Sequence, residues 1–391
     1  MSKELRQKIV LTSAGTAILT LLFILFAGIK NSLPDMLIAV PYFLVLYFLF
    51  FSIGSQPASD RIATWIGSDV RKAVVFPAAL IVLYYSYVLI NGENPFNGTL
   101  AIFPFLIFFP VLAFSARSRS VSKIDWYDFT VFVLFLLPTT LISVKPTGEL
   151  PFHGNGFDSI YRIVIILTAV YAFSIIRNLA DIGFYPEINP RKLWTSVWVW
   201  LAFYLTVFSI GYSVNFFRIV GHDEVSVDLV QKIFFTILTT FLHTAIFEEL
   251  FFRGILQNML AKRIHQAKAW LIFWKWGFVI LLPLALLAGY TLKGGMQWFP
   301  ALMTSFIFSG AFAIEKSGKN YMGVYTSLAI TSVLFGLVHY HSGAIVYIGF
   351  ACLAGWAYGY TYIKTKNVFY SALVHALVNS SVLIFGLEMI R

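Results

Sequence analysis

The sequence predicts an all-α fold, a polytopic transmembrane helical bundle of about thirteen spans with the N-terminus cytoplasmic. Three observations carry that expectation. Hydrophobic residues fill 59% of the 391 positions and charged residues only 12%, with a mean hydropathy of +0.80, whereas a soluble domain is roughly half apolar and a quarter charged. Apolar stretches of about 20 residues, the length that crosses a ~30 Å hydrocarbon core, recur along the whole chain. Lys and Arg also fall on alternate sides of these stretches, as cytoplasmic retention of basic residues requires. In lipid each segment must satisfy its own backbone hydrogen bonds, so the spans are expected to be helices.

The first apolar stretch, 9–29, follows MSKELRQK and has no small-x-small cleavage site, so a retained anchor is expected. Spans at 36–54, 73–91, 99–115, 127–144 and 160–177 complete a six-helix region over 1–190. Its prolines, Pro41, Pro77, Pro104, Pro110 and Pro138, read as kinks, and no paired ionisable groups stand out inside these spans. The segment GELPFHGNGFDS, 148–159, reads as an extracytoplasmic turn with a solvated His153. No role for this region can be read from its residues. A second region, 191–391, carries spans at 193–213, 229–258, 270–290, 298–315, 321–340, 343–362 and 367–388.

Basic residues support the count. The segments placed in the cytoplasm hold Lys3, Arg6 and Lys8, then Arg61, Arg71 and Lys72, and continue in that way to Lys364 and Lys366. The opposite side holds Lys30, Lys145, Arg162, Arg218, Lys293 and Arg391. The net charge of +10 is therefore a topology signal, and no nucleic-acid partner is expected. A single cysteine, Cys352, excludes intrachain disulfides and multi-thiolate metal sites.

In the second region ionisable residues sit at membrane depth. A charge at the bilayer centre costs at least ~2.5–3.5 kcal/mol, so Glu248, Glu249 and Arg253 in HTAIFEELFFRGILQ require a purpose. Glu249 and Arg253 are four apart, the spacing and order of a helical ion pair, and read as a structural clamp. Glu248 lies about 100° round the helix from Glu249 and is left free to bind a proton or a water. In FGLVH, Phe335 and His339 share a helix face, as His375 and Asn379 do in HALVN. A carboxylate, two imidazoles and an amide make a set able to activate water and stabilise an oxyanion.

These stretches resemble the CPBP group of intramembrane proteases, which includes the type II CAAX prenyl endopeptidases and the Abi proteins. EELFFR matches the E-E-x-x-x-R motif, FGLVH the F-x-x-x-H motif and HALVN the H-x-x-x-N motif, in the family's order and on three separate spans. The resemblance covers a motif-bearing core at 230–388. It implies an intramembrane endopeptidase in which Glu248 activates a water with help from His339, His375 and Asn379 stabilise the oxyanion, and Glu249 and Arg253 hold the geometry. It also implies a membrane-associated or lipidated protein or peptide as substrate, within the cell membrane. One departure is an apparent two-helix insertion at about 265–320, which preserves the direction of every later helix.

No cofactor is predicted. Two histidines and two glutamates could hold a divalent metal such as zinc, but no HExxH is present and the spacing is not diagnostic. The alternatives are a transporter or channel with a structural Glu/Arg/His cluster, and a non-cleaving family member acting as a scaffold. His243 reads as bonded to a neighbouring helix, His341 as interfacial, and His222 and His265 as solvated loop residues. Lys232 and Lys275 read as snorkelling near span ends. Gly355 and Gly359 form a small-xxx-small face for close helix packing. Substrate identity and oligomeric state are left open by the sequence. One tension remains in depth: at 1.5 Å per residue, Glu248 is roughly 20 Å from Lys262 and His375 roughly 13 Å from Lys366, but His339 is roughly 30 Å from Lys319. The span holding His339 is therefore expected to start well after Lys319 or to tilt.

Overall fold

Among the described residues the apolar stretches fold as helices, giving the all-α class the composition predicts. The computed structural model describes residues 3–27, 32–96, 98–117, 123–137, 160–222, 224–318 and 322–390; the 148–159 turn, Lys319 and the greater part of the 127–144 span's second half lie outside them. The chain divides into two compact units, Met1–Ile188 and Asn189–Arg391. Among the described residues six helical stretches are long and apolar enough to cross a membrane: Arg6–Leu25, Leu33–Ser52, Val70–Ile90, Pro190–Ser213, Val227–Ala267 and Trp270–Thr291.

The first unit holds α1 (Lys3–Ala27), α2 (Leu33–Ser52), α3 (Gln56–Ile66), α4 (Val70–Ala73), α5 (Val75–Ile90), α6 (Phe103–Ala116), α7 (Trp126–Leu137) and α8 (Ile160–Val170). α1 and α2 pack together, and Thr12 of α1 donates to the Phe51 carbonyl. The α3 helix is amphipathic and apolar span-finding passes over it. Ionisable pairs do exist here, contrary to the sequence expectation. Asp128, fully buried in the first turn of α7, accepts from Arg117 Nη1 at 3.2 Å and from Arg177, while Arg117 also binds Asp125 at 2.5 Å. The partners are 11 and 49 positions away along the chain, so no helical spacing advertises them.

The second unit holds α9 (Pro190–Ser213), the strand β1 (Phe217–Ile219), a long rod from Val227 to Ala267, α13 (Trp270–Thr291), α14 (Phe299–Ser317), α15 (Val324–Val338), α16 (Ile345–Thr365), α17 (Val368–Ile384) and the strand β2 (Leu387–Met389). The rod contains α10 (Val227–Thr240), α11 (Ile246–Glu249) and α12 (Asn258–Ala267), joined by two π-helical segments. β1 and β2 pair antiparallel, with Arg218 opposite Glu388. His265 belongs to α12 and not to a loop.

Small residues let α15 and α16 approach closely, as the small-xxx-small face suggests. A Cβ on Gly355 would stand 2.9 Å from the Ser332 backbone, and one on Gly336 would meet Cys352. The pair α13 and α14 is held by Trp274 Nε1 donating to the Phe308 carbonyl at 2.8 Å. α14 in turn caps α15. Buried Glu315 accepts from the amides of Gly323, Tyr325 and Thr326 at 3.1, 2.9 and 3.0 Å, satisfying helix N-terminal donors with a negative charge where the helix dipole favours one.

That cap sets the depth of His339. Gly323 packs against Ile264 of α12. Sixteen positions separate Ile264 from Glu248 along the rod, and sixteen separate Gly323 from His339. At about 1.5 Å per residue both climb some 24 Å from their contact, which brings the glutamate and the histidine to one level. The α16–α17 turn meanwhile lies nearer the site, with Ser371 bonded to the Tyr358 carbonyl at 2.8 Å only three residues into α17.

Candidate active site

The site begins with an irregularity in the rod. π-helical segments over Phe241–Ala245 and Leu250–Gln257 flank the short α11 that carries Glu248 and Glu249. Such i→i+5 turns are costly and collect at functional positions. Glu248 and Glu249 both lie in the α-helical α11, so the 100° step between them stands. The clamp forms: Arg253 Nε donates to Glu249 Oε2 at 3.1 Å, both side chains being fully buried.

Glu249 does more than clamp. Its Oε2 also accepts from Ser371 Oγ at 2.6 Å, and its Oε1 lies 3.0 Å from His375 Nδ1. A carboxylate can only accept here, so Nδ1 carries the proton and Nε2 is turned toward the site. His375 Nε2 lies 4.0 Å from Glu248 Oε2, too far for a direct bond and a separation that a bridging water spans. Glu248 Oε2 has no protein partner, and the side chain is 28% exposed.

His339 follows the same logic at the end of α15. Its Nδ1 lies 2.7 Å from the Phe335 carbonyl, so Nδ1 donates and Nε2 is left available. Glu248 is within electrostatic reach of His339 and Tyr347. Phe335 is the plate between these groups. Its ring stands 4.7 Å from that of His339 and edge-on to His375 at 5.7 Å, and the Arg253 guanidinium lies 5.1 Å from its centroid.

A cavity of about 310 Å³ opens beside the histidines. His339, Tyr347, Tyr358, His375 and Asn379 give it a polar end, while Phe216, Phe217, Phe350, Val382 and Met389 are among its apolar walls. Asn379 is exposed and lies one turn beyond His375 on α17, as the H-x-x-x-N spacing expects. Glu248 does not line this cavity; it approaches the same histidines from the rod. The structure thus joins Glu248, Glu249, Arg253, His339 and His375 into one cluster, with Asn379 on the shared cavity.

Three participants escaped the sequence reading. Ser371 buttresses Glu249 four positions before His375, a helical spacing that could have found it. Tyr358 stacks on His375, with ring centroids 4.5 Å apart and an 11° interplanar angle, and Tyr347 stands 5.8 Å from His339. Both lie in the α16 run read only as packing. Among the other histidines, exposed His222 bonds the Leu383 carbonyl through Nε2 at 2.9 Å, and exposed His341 bonds Val338. His243 faces Thr244 at 3.4 Å.

Among the described residues no three His, Cys, Asp or Glu side chains converge with the geometry of a metal site. The Nδ1 atoms of both site histidines are engaged by protein acceptors, which leaves their Nε2 atoms facing the site. No step below passes through a metal.

Membrane-length apolar helices carrying a polar cluster of two glutamates, an arginine and two oriented histidines define a polytopic helical membrane protein. Residues 230–324 and 312–381 match the profile of the family described as Type II CAAX prenyl endopeptidase Rce1-like. The match spans residues 230 to 381, where the three motifs fit the CPBP/CAAX protease family, and the first 229 residues lie outside it. Comparison with curated proteins and with solved structures gave no match.

Proposed function

We propose that the second unit is an intramembrane endopeptidase that hydrolyses a peptide bond through a glutamate-activated water. The observation that carries the reading is the gap between Glu248 Oε2 and His375 Nε2, with the Nδ1 atoms of His339 and His375 both engaged elsewhere. A water held there by Glu248 and His339 Nε2 loses its proton to Glu248 as its oxygen attacks the scissile carbonyl. The oxyanion accepts from the Asn379 amide and from His375 Nε2–H, the ring being cationic with Nδ1–H on Glu249. Glu248 then returns the proton to the leaving amine as the C–N bond breaks, giving a carboxylic acid and a free amine.

The substrate class proposed is a membrane-associated or lipidated protein, met at a multi-pass enzyme of the cell membrane that crosses it about thirteen times with its N-terminus inside. Two units with separate cores allow the first to bind a substrate or a partner without a part in the chemistry. The test is a comparison of membrane proteomes from cells carrying the wild-type chain, Glu248→Gln or His339→Ala. Uncleaved precursors should accumulate in both variants while the protein still inserts. No accumulating precursor, together with a solute or ion flux that both substitutions alter, would replace the protease by a transporter.

A further inference from the structure

The face of α16 that borders the cavity runs Tyr347, Ala351, Ala354, Tyr358, at steps of four, three and four residues. The two alanines leave the hollow, and each tyrosine is set against one histidine of the site. The two contacts differ in kind. Tyr358 lies flat on His375 at 11°, a stacking platform that a phenylalanine would supply equally well. Tyr347 meets the His339 ring at 63° and 5.8 Å, and its hydroxyl makes no hydrogen bond to any described residue.

A phenol hydroxyl in a mostly enclosed site finds a partner, because leaving one unmade costs about 1–3 kcal/mol. The Tyr347 hydroxyl is not among the sealed, unpartnered groups of the interior, and the residue lines the cavity. Its partner is therefore something the cavity admits, and Glu248 is within electrostatic reach of it. An O–H donor on the cavity shared with His339, His375 and Asn379 is idle toward a neutral substrate carbonyl and becomes useful once negative charge develops on that oxygen.

We propose that Tyr347 is a further catalytic residue, whose hydroxyl donates a hydrogen bond to the oxyanion of the tetrahedral intermediate formed between Glu248 and His339. This rests on the endopeptidase reading above. The hydroxyl keeps its proton throughout; it adds a third donor to Asn379 and His375, and it comes from a helix that carries none of the three family motifs.

Tyr347→Phe keeps the ring against His339 and removes only the donor. Precursors that accumulate in Glu248→Gln cells are followed by pulse–chase in wild-type and Tyr347→Phe cells, and the identified cleavage site is remade as a peptide phosphonate, a mimic of the tetrahedral oxyanion. The processing half-life should lengthen about 100-fold, the usual effect of one lost oxyanion donor. Phosphonate affinity of the purified protein should fall by the same factor, with KM for the uncut peptide within about twofold. Processing within twofold of wild type, while Glu248→Gln stays blocked, overturns the role of Tyr347 alone. Slow processing that comes from a raised KM with phosphonate affinity unchanged overturns it too, leaving a packing role. If no precursor accumulates in Glu248→Gln cells, the endopeptidase reading and this inference fall together.

Discussion

Glu249 is where orientation and stability can be separated. It is held by three groups through two oxygens: Ser371 at 2.6 Å and Arg253 at 3.1 Å on Oε2, and His375 at 3.0 Å on Oε1. Glu249→Gln preserves shape but exchanges one acceptor oxygen for an NH₂ donor. The amide oxygen satisfies the Ser371–Arg253 side best, where two donors meet, so the NH₂ faces His375 Nδ1. One charge-assisted bond is then lost, worth about 1.5–3 kcal/mol, and a buried donor opposes a donor. Relieving that opposition takes the proton off Nδ1 and leaves a neutral ring with Nε2–H, so the His375 cation held by Glu249 for the oxyanion step is lost. The analogous loss of an orienting carboxylate in a serine protease triad lowers kcat about 10⁴-fold with geometry intact. The expected result is a folded, inserted protein, destabilised by about 1.5–3 kcal/mol in a detergent unfolding titration, whose precursor-processing rate falls at least about 100-fold. Processing within threefold of wild type at that measured loss of stability would refute the claim that Glu249 orients His375.

Three further outcomes follow from packing and capping. Gly355→Ala places a methyl 2.9 Å from the Ser332 backbone and 3.3 Å from Phe335 Cβ; it should cost about 1–3 kcal/mol as overpacking and reduce processing by displacing Phe335 and His339, measured as melting temperature and precursor half-life. Glu315→Ala strips the acceptor from three amides at the start of α15, and should cost at least about 1–3 kcal/mol, with hydrogen exchange rising at Tyr325 and Thr326 first. Asp128→Ala leaves Arg117 and Arg177 of the first unit without their shared buried carboxylate. That change should cost about 3–5 kcal/mol, and a wild-type unfolding midpoint in the variant would show the cluster to be energetically idle.

Much of the fold was legible because lipid imposes simple rules. Apolar length announces a helix, so the helical class and the rough position of the stretches needed no tertiary information. The glycine spacing of α16 told of close packing, since only a missing Cβ permits a backbone at 2.9 Å. The Glu249–Arg253 pair was likewise visible as a four-residue step. Less legible were bonds whose partners are remote in sequence. Asp128 with Arg177, 49 positions apart, looked unpaired, and Glu315 showed no sign of capping another helix. The π turns at Phe241–Ala245 and Leu250–Gln257 on either side of the glutamates were likewise not foreseen.

By itself the sequence determined a membrane-spanning all-α chain and the identities of six polar residues on three helices, because transfer to lipid is a property of each segment alone. Which of those residues meet, and through which atoms, only the tertiary structure decided. The depth of His339 depends on how Gly323 seats against Ile264, and the facing nitrogen of His375 depends on a carboxylate 126 positions away. Both are contacts between helices, and no single helix carries the information that fixes them.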